Sequence, residues 1–409
     1  MEKKTKVAEL FAGVGGFRLG LGRASKRFAV VWSNQWEPGA KRQYASDIYV
    51  RNFGAAGHSN ADIAGVPASS IPGVDMVAGG FPCQDYSVAR LRVHSAGLAG
   101  AKGALWWEIH RILAEKKNKP KYLIFENVDR LLQSPSGCPG EDFAVILSSL
   151  CALGYIVEWR VVNAAEYGMP QRRRRVFMVG SHSTSAMYKK ILASEPEGWI
   201  TRQGVLAEAF PVRGDTGCEI SRHTLSEIAG TKNRKHTPGP FRNAGIAITG
   251  VAHTVKVAPS YAGPSQTLGD ILVPEATVPG EYYVDGATLP VWQYLKGRKK
   301  KRRIQKSSGM AYTYSEGAVP FPDAVDKPSR TIVTGEGGAA PSRCKHVVRT
   351  AGGRLRRLVP AELERLNMFP DGHTAGVPDR TRAFLMGNAV VVGVVERIGE
   401  VLARRIGQR

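Results

Sequence analysis

The 409-residue chain contains no run of about 18 consecutive apolar residues, so no membrane span is expected. Its N-terminus, MEKKTKVAELF, starts basic, but the apolar stretch behind it soon meets Glu9, Arg18 and a glycine cluster, so no secretory signal is expected. Cysteine is scarce: Cys83, Cys138, Cys151, Cys218 and Cys344 are an odd five, with no C-x-x-C pair and no Cys/His cluster at zinc spacing. That argues against a disulfide framework and against a structural metal, and for a reducing cytoplasm. Acidic residues are in short supply, 35 Asp and Glu against 57 Lys and Arg, for a formal charge of +22. Such an imbalance exceeds what solubility requires and points to a polyanionic partner, nucleic acid first, although a merely basic surface has the same signature. The dinucleotide fingerprint G-x-G-x-x-G is also missing, with Arg18 where its third glycine would fall, and this disfavours a hydride-transfer enzyme.

What is present suggests an α/β protein. The length fits two domains, and 43% hydrophobic residues suffice for a buried core. From Val7 to about Gly180, short apolar runs alternate with longer amphipathic ones, the pattern of a parallel sheet with crossover helices. VAELF, FAVVWSN, VDMVAGG, KYLIFENV, YIVEWRVVN and RRRVFMVG are the predicted strands. Between about Ser181 and Arg349, glycine and proline are scattered and periodicity is poor, as in a second, loop-rich domain containing the basic block KGRKKKRR at 296–303. Helical spacing then returns, with Val391, Val394, Val395, Ile398 and Leu402 on one face, and this last helix is expected to pack back on the first domain. The expected division is therefore 1–184 with 350–409, and 185–349.

The stretch ELFAGVGGFRLGL places Gly13, Gly15 and Gly16 between the first strand and a helical run, where a backbone passes close to a ligand. A nucleoside without a pyrophosphate suits this loop, though glycine turns after strands are commonplace. Gln35, at the end of the second strand, stands where a ribose-binding side chain is expected; Trp36 offers a ring to stack on a base, and Asp62 a carboxylate for an exocyclic amine. Trp36 reads equally as core, and Asp62 as a turn or helix-cap residue.

In GGFPCQDYS, Cys83 follows a strand and lies at a carboxyl edge, where open α/β sheets bind ligands. The next strand ends in Glu126 and Asn127, and Arg173 and Arg175, two apart, share a face at the strand after that. A thiol, a carboxyl and an arginine pair converging on one pocket suit attack on a pyrimidine. Thiolate addition at C6 makes C5 nucleophilic enough to take a methyl group. A carboxylic acid kept protonated donates to ring N3, and an arginine binds the ring carbonyl and lowers the thiol's pKa.

With these residues in place, the chain resembles the DNA cytosine-5 methyltransferases that use S-adenosylmethionine, over nearly its whole length. FAGVGG resembles their cofactor loop, GGFPCQ their nucleophile motif, ENV their glutamate motif, QRRRRVF their arginine motif, and RLRRLVPAELERLNMFPD and GNAVVVGVVERI their last two blocks, in the family's order. The resemblance implies a Rossmann-like methyltransferase sheet domain plus a smaller, loop-rich target-recognition domain, with duplex DNA in the cleft and the target cytosine flipped out. It implies Cys83 as nucleophile, Glu126 as the N3 contact, and Arg175, with Arg173 beside it, on the base carbonyl. Phe11, Val14, Gly15, Gly16, Gln35, Trp36, Asp62, Ile63, Pro82, Asn388 and Val390 are carried over as the S-adenosylmethionine set, Gln35 standing where many members have a glutamate. Ser87 would sit on a mobile loop, 84–104, that closes over DNA. The region 185–346 would read the DNA sequence, with Lys296, Arg298, Lys299, Lys300, Lys301, Arg302 and Arg303 on phosphates. In DKPSRTIVTGEGG, Ser, Thr and Arg side chains would also meet phosphates. The expected protein is a cytoplasmic monomer, the modification partner of a restriction endonuclease, without metal. A tRNA-methylating enzyme of the same family and a non-catalytic DNA-binding regulator are the alternatives.

Overall fold

The structure, a computed structural model, describes residues 3–81, 104–135, 137–214, 219–230, 239–304 and 311–407. They form two compact units: Met1–Gly168 with Arg173–Pro264 and Val390–Arg409, and Met169–Arg172 with Ser265–Ala389.

The first unit is built on strands β1 (Thr5–Leu10), β2 (Phe28–Asn34), β3 (His58–Ser59), β4 (Met76–Gly80), β5 (Tyr122–Val128), β6 (Tyr155–Asn163), β7 (Arg174–His182), β8 (Val212–Gly214), β9 (Ser221–Thr224), β10 (Ala244–Ile248), β11 (Val251–Val255) and β12 (Val257–Pro259). Ten of them form one sheet in the order β3-β2-β1-β4-β5-β7-β6-β10-β11-β9, and β8 pairs with β12. All six predicted strands exist. The sheet is not wholly parallel as expected: β1 to β5 pair in parallel, whereas β7 runs antiparallel to both β5 and β6. The cause is the connection 164–173, too short for the dozen or more residues that a parallel crossover needs.

Helices Gly16–Ala24, Tyr44–Phe53, Ala104–Glu115 and Glu141–Ala152 come after β1, β2, β4 and β5 respectively. The final helix, Val392–Gly407, packs on Gly16–Ala24 as expected, with Val391, Val394, Val395, Ile398 and Leu402 all buried. Close approach there depends on Gly20, where a Cβ would come within 2.7 Å of Val395 Cβ.

The division of the chain differs from the expected one at both boundaries. Residues up to Pro264 belong to the first unit because β10 pairs with β6 and extends the sheet, covering an edge that would otherwise expose unpaired backbone. The β10–β11 hairpin turns at Thr249 and Gly250, both at positive φ, a turn chemistry written in AITGVA. Conversely, helices Pro360–Leu366 and Asp379–Asn388 lie in the second unit.

The second unit holds helix Leu289–Lys296, the hairpin β13 (Lys299–Ile304) and β14 (Ala311–Glu316), and the pair β15 (Val347–Arg349) and β16 (Leu355–Arg357). Its interior is strongly polar. Arg330 makes a bidentate pair with Asp323 at 2.5 and 3.1 Å, and His346 is held between Glu336 (2.7 Å) and Ser329 (3.0 Å). Buried Gln171 ties three segments together, donating to Leu366 O and Asn367 Oδ1 and accepting from Ile332 N–H. Ser329, Arg330 and Thr331, expected on phosphates, are thus engaged inside the unit, Thr331 Oγ1 donating to Arg172 O. Among the described residues, no helix is long and apolar enough to cross a membrane.

Candidate active site

Strand register assembles one edge of the first unit. Leu10 stands beside Gly79, Gly80 beside Glu126, and Val128 beside Arg175. The ends of β1, β4 and β5 therefore meet the beginning of β7. Only the antiparallel direction of β7 puts its leading arginines at this edge; a parallel strand would carry them to the opposite one.

Glu126 and Arg175 are in contact, Oε1 to Nε at 3.0 Å, with side chains 14% and 19% exposed. Burial pushes the Glu126 carboxyl above its ordinary pKa, against the lowering charges of Arg175 and Arg173. Arg173 is buried behind them, and burial brings its guanidinium down to about 9, the like charge of Arg175 adding to that. Gly80 leaves room for the carboxyl: a Cβ there would lie 2.9 Å from Glu126 Oε2.

Beside them, the buried Asn127 donates from Nδ2 to Phe81 O at 2.9 Å, and the Phe81 ring packs among Trp106 and Phe125. The backbone is thereby fixed one residue before Pro82 and two before Cys83. Pro82, Cys83 and Ser87 themselves lie outside the described residues.

On the glycine-loop side, Gly15 caps the helix Gly16–Ala24 with φ +88, and a Cβ there would overlap the Phe53 ring. Gln35 is buried, and its Oε1 accepts from Gly13 N–H at 2.7 Å, so it anchors the loop itself. Trp36 is half-buried in the segment after β2 rather than in the core. Asn34 Nδ2 donates to Ser59 O and Ala61 O, which brings the next residue, Asp62, alongside. Asp62 is exposed and caps a short turn through Ala64 N–H; Ile63, Val14 and Val390 are buried, and Phe11 is half-buried. A glycine loop held in place by Gln35, a half-buried indole and an exposed carboxylate fit an adenine nucleoside. Asn388 is the exposed last residue of its helix in the second unit.

The roles of three contributors escape a reading of the sequence. Besides Asn127, Arg111 Nη2 donates to Ile63 O (3.1 Å) and Val66 O (3.0 Å) while Nε pairs with Glu108 at 2.7 Å, clamping the turn next to Asp62. The Glu108 to Arg111 helical spacing was the available signal, but only the fold supplies the carbonyls. Glu9, wholly buried under the glycine loop, accepts from Tyr49 Oη (2.9 Å) and Arg18 N–H (3.2 Å), and burial raises its carboxyl to about 7.

The basic block divides. Lys296 is 1% exposed and donates to Lys345 O, so it is unavailable to DNA; its helix turns it into the second unit. Arg298, Lys300, Lys301 and Arg302 are exposed, Lys299 is half-buried, and nothing is described of the Arg303 side chain.

The family model of C-5 cytosine-specific DNA methylases matches residues 5–404. The chain belongs to that family. It is 43% identical over 98% of its length to the Type II methyltransferase M.Sau3AI of Staphylococcus aureus, 96% of which is covered. It is 36% identical to M.NgoBI of Neisseria gonorrhoeae, over 45% of this chain and 52% of the relative. Among solved structures, the Dnmt2 methyltransferase of S. pombe superimposes with a TM-score of 0.62 at 17% identity, covering 99% of this chain and all of the other, a likeness of fold. This protein is a DNA cytosine-5 methyltransferase of the Type II restriction-modification class.

Proposed function

We propose that the enzyme methylates C5 of a cytosine flipped out of a specific duplex DNA site, through a covalent bond between Cys83 and C6 of the base. The observation that carries this reading is the meeting of Glu126 and Arg175 at the edge where the chain enters Pro82 and Cys83.

The Cys83 thiolate adds to C6 and pushes electron density to C5, while a protonated Glu126 donates to N3 as charge develops there. Burial of Glu126 favours the acid form that this donation requires. Arg175 holds the base carbonyl and the Glu126 carboxyl in one plane of approach, and Arg173 adds positive charge behind them. Bound S-adenosylmethionine supplies the electrophilic methyl group. Gly13, Trp36, Asp62 and Ile63 would hold its nucleoside, with Gln35 fixing the loop. After methylation, loss of the C5 proton to a base lets the thiolate leave C6 and restores the aromatic ring. A cognate restriction endonuclease would cleave the same site when it is unmethylated.

Tritiated S-adenosylmethionine offered with duplex DNA and, separately, with tRNA tests the reading. Label in 5-methylcytosine of DNA, absent from the Cys83→Ala variant, is expected; label in tRNA alone, or none with well-folded wild type, would overturn it.

A further inference from the structure

The strand Lys299–Ile304 pairs antiparallel with Ala311–Glu316, so its side chains alternate between two faces. On one face the lysines are already engaged. Lys299 Nζ donates to Leu295 O at 3.1 Å and lies 3.6 Å from Glu316 Oε2, and Lys301 Nζ donates to Tyr294 Oη at 2.7 Å. Both ammonium groups also lie over the Tyr294 ring, 4.9 and 5.4 Å from its centroid. The opposite face carries Lys300 across from Ser315, Arg302 across from Thr313 and Ile304 across from Ala311, all six exposed. Among the described residues of the two strands no carboxylate stands on that face, since Glu316 pairs with Lys299. Ile304, at 69%, is the most exposed large apolar side chain among the described residues.

Resting on the duplex-DNA reading above, we propose that this second face is the surface the ribbon lays against DNA, with Lys300 and Arg302 on backbone phosphates and Ile304 against base edges. Two cations unopposed by acid suit a polyanion, and small hydroxyl neighbours keep the face flat and offer further donors to phosphate oxygens. A two-stranded ribbon is narrow enough to enter the major groove, where an apolar side chain meets the thymine methyl group. Lys299 and Lys301 instead fasten the ribbon to the helix Leu289–Lys296. Among the described side chains of this strand, Lys300 and Arg302 are therefore the two phosphate-binding cations, and alternation along the strand selects them.

Two charge-matched double variants separate the faces: Lys300→Ala with Arg302→Ala, and Lys299→Ala with Lys301→Ala. Duplex binding is measured over a range of KCl concentrations, with thermal melts confirming folding. The slope of log K against log salt should flatten by roughly 2 for the first pair, about 0.9 for each phosphate no longer neutralised, and by less than half of that for the second. The exchange Lys300→Arg with Arg302→Lys should keep the wild-type slope. Equal changes in both pairs, or an unchanged slope in the first, would overturn the assignment. Ile304→Ser should leave the slope alone and lower the preference for methylatable over random duplex several-fold; an unchanged preference removes Ile304 from the interface. Methyl transfer by the same wild-type preparation is recorded alongside, so an active enzyme that fails the slope test contradicts the ribbon face and leaves the enzymatic reading intact.

Discussion

Arg175 Nε lies 3.0 Å from Glu126 Oε1, across two strands that run in opposite directions. The contact pulls the carboxyl in two ways: burial favours its acid form, and the guanidinium favours its anion. Burial prevails, and the carboxyl is held above its ordinary pKa, the direction that the proposed donation to N3 needs.

The turnover rate should accordingly follow the Glu126 acid. Because its folded-state pKa is raised, the donor form is present at low pH and is lost as pH rises through that value, so single-turnover methylation should fall on the alkaline side. Glu126→Gln keeps a donor without a titration. It should lose that limb of the profile and run at least about 100-fold slower, the scale of general-acid catalysis.

Gly80→Ala probes the same carboxyl from beneath. The added methyl would stand 2.9 Å from Glu126 Oε2 and displace it. A roughly tenfold or larger drop in kcat is expected, with the KM for S-adenosylmethionine and the melting temperature little changed.

Much of this edge is legible in the residues. FAVVWSN and YIVEWRVVN are strands with those bounds, and the glycine loop, Glu126 and Arg175 fall at strand ends as their motifs require. Strand direction is not legible, because an apolar run looks the same either way; the short 164–173 connection is the clue. Nor does a basic block announce which of its cations are consumed at home, as Lys296 and Lys299 are by backbone carbonyls that only the fold brings near. The Thr249–Gly250 turn is readable in principle, and the hairpin it makes carries the first unit well past the boundary that composition suggests.

Arg111 should act on cofactor affinity alone. Arg111→Met frees the Ile63 and Val66 carbonyls and should raise the KM for S-adenosylmethionine about tenfold while kcat at saturation stays near wild type. Arg111→Lys, able to reach one carbonyl, should fall between; a loss confined to kcat would exclude the positioning role.

Glu9 links stability to pH. Its carboxyl moves from an ordinary 4.5 to about 7 on folding, worth roughly 3 kcal/mol. That contribution is fully present below pH 4.5 and is lost as pH rises through 7. Glu9→Gln carries a constant cost at Arg18 N–H but no titration, so the melting temperature of the variant relative to wild type should climb between pH 5 and 8. A pH-independent difference would contradict the buried-acid assignment.

The covalent step is tested most directly with duplex DNA carrying 5-fluorocytosine at the methylated position. After methyl transfer, fluorine occupies the place of the C5 proton, and the thiolate cannot be eliminated. Wild type with S-adenosylmethionine should form an SDS-stable protein–DNA adduct that peptide mapping assigns to Cys83, and Cys83→Ser should form none. An enzyme that methylates ordinary DNA yet yields no adduct, or one joined at another residue, would contradict the mechanism.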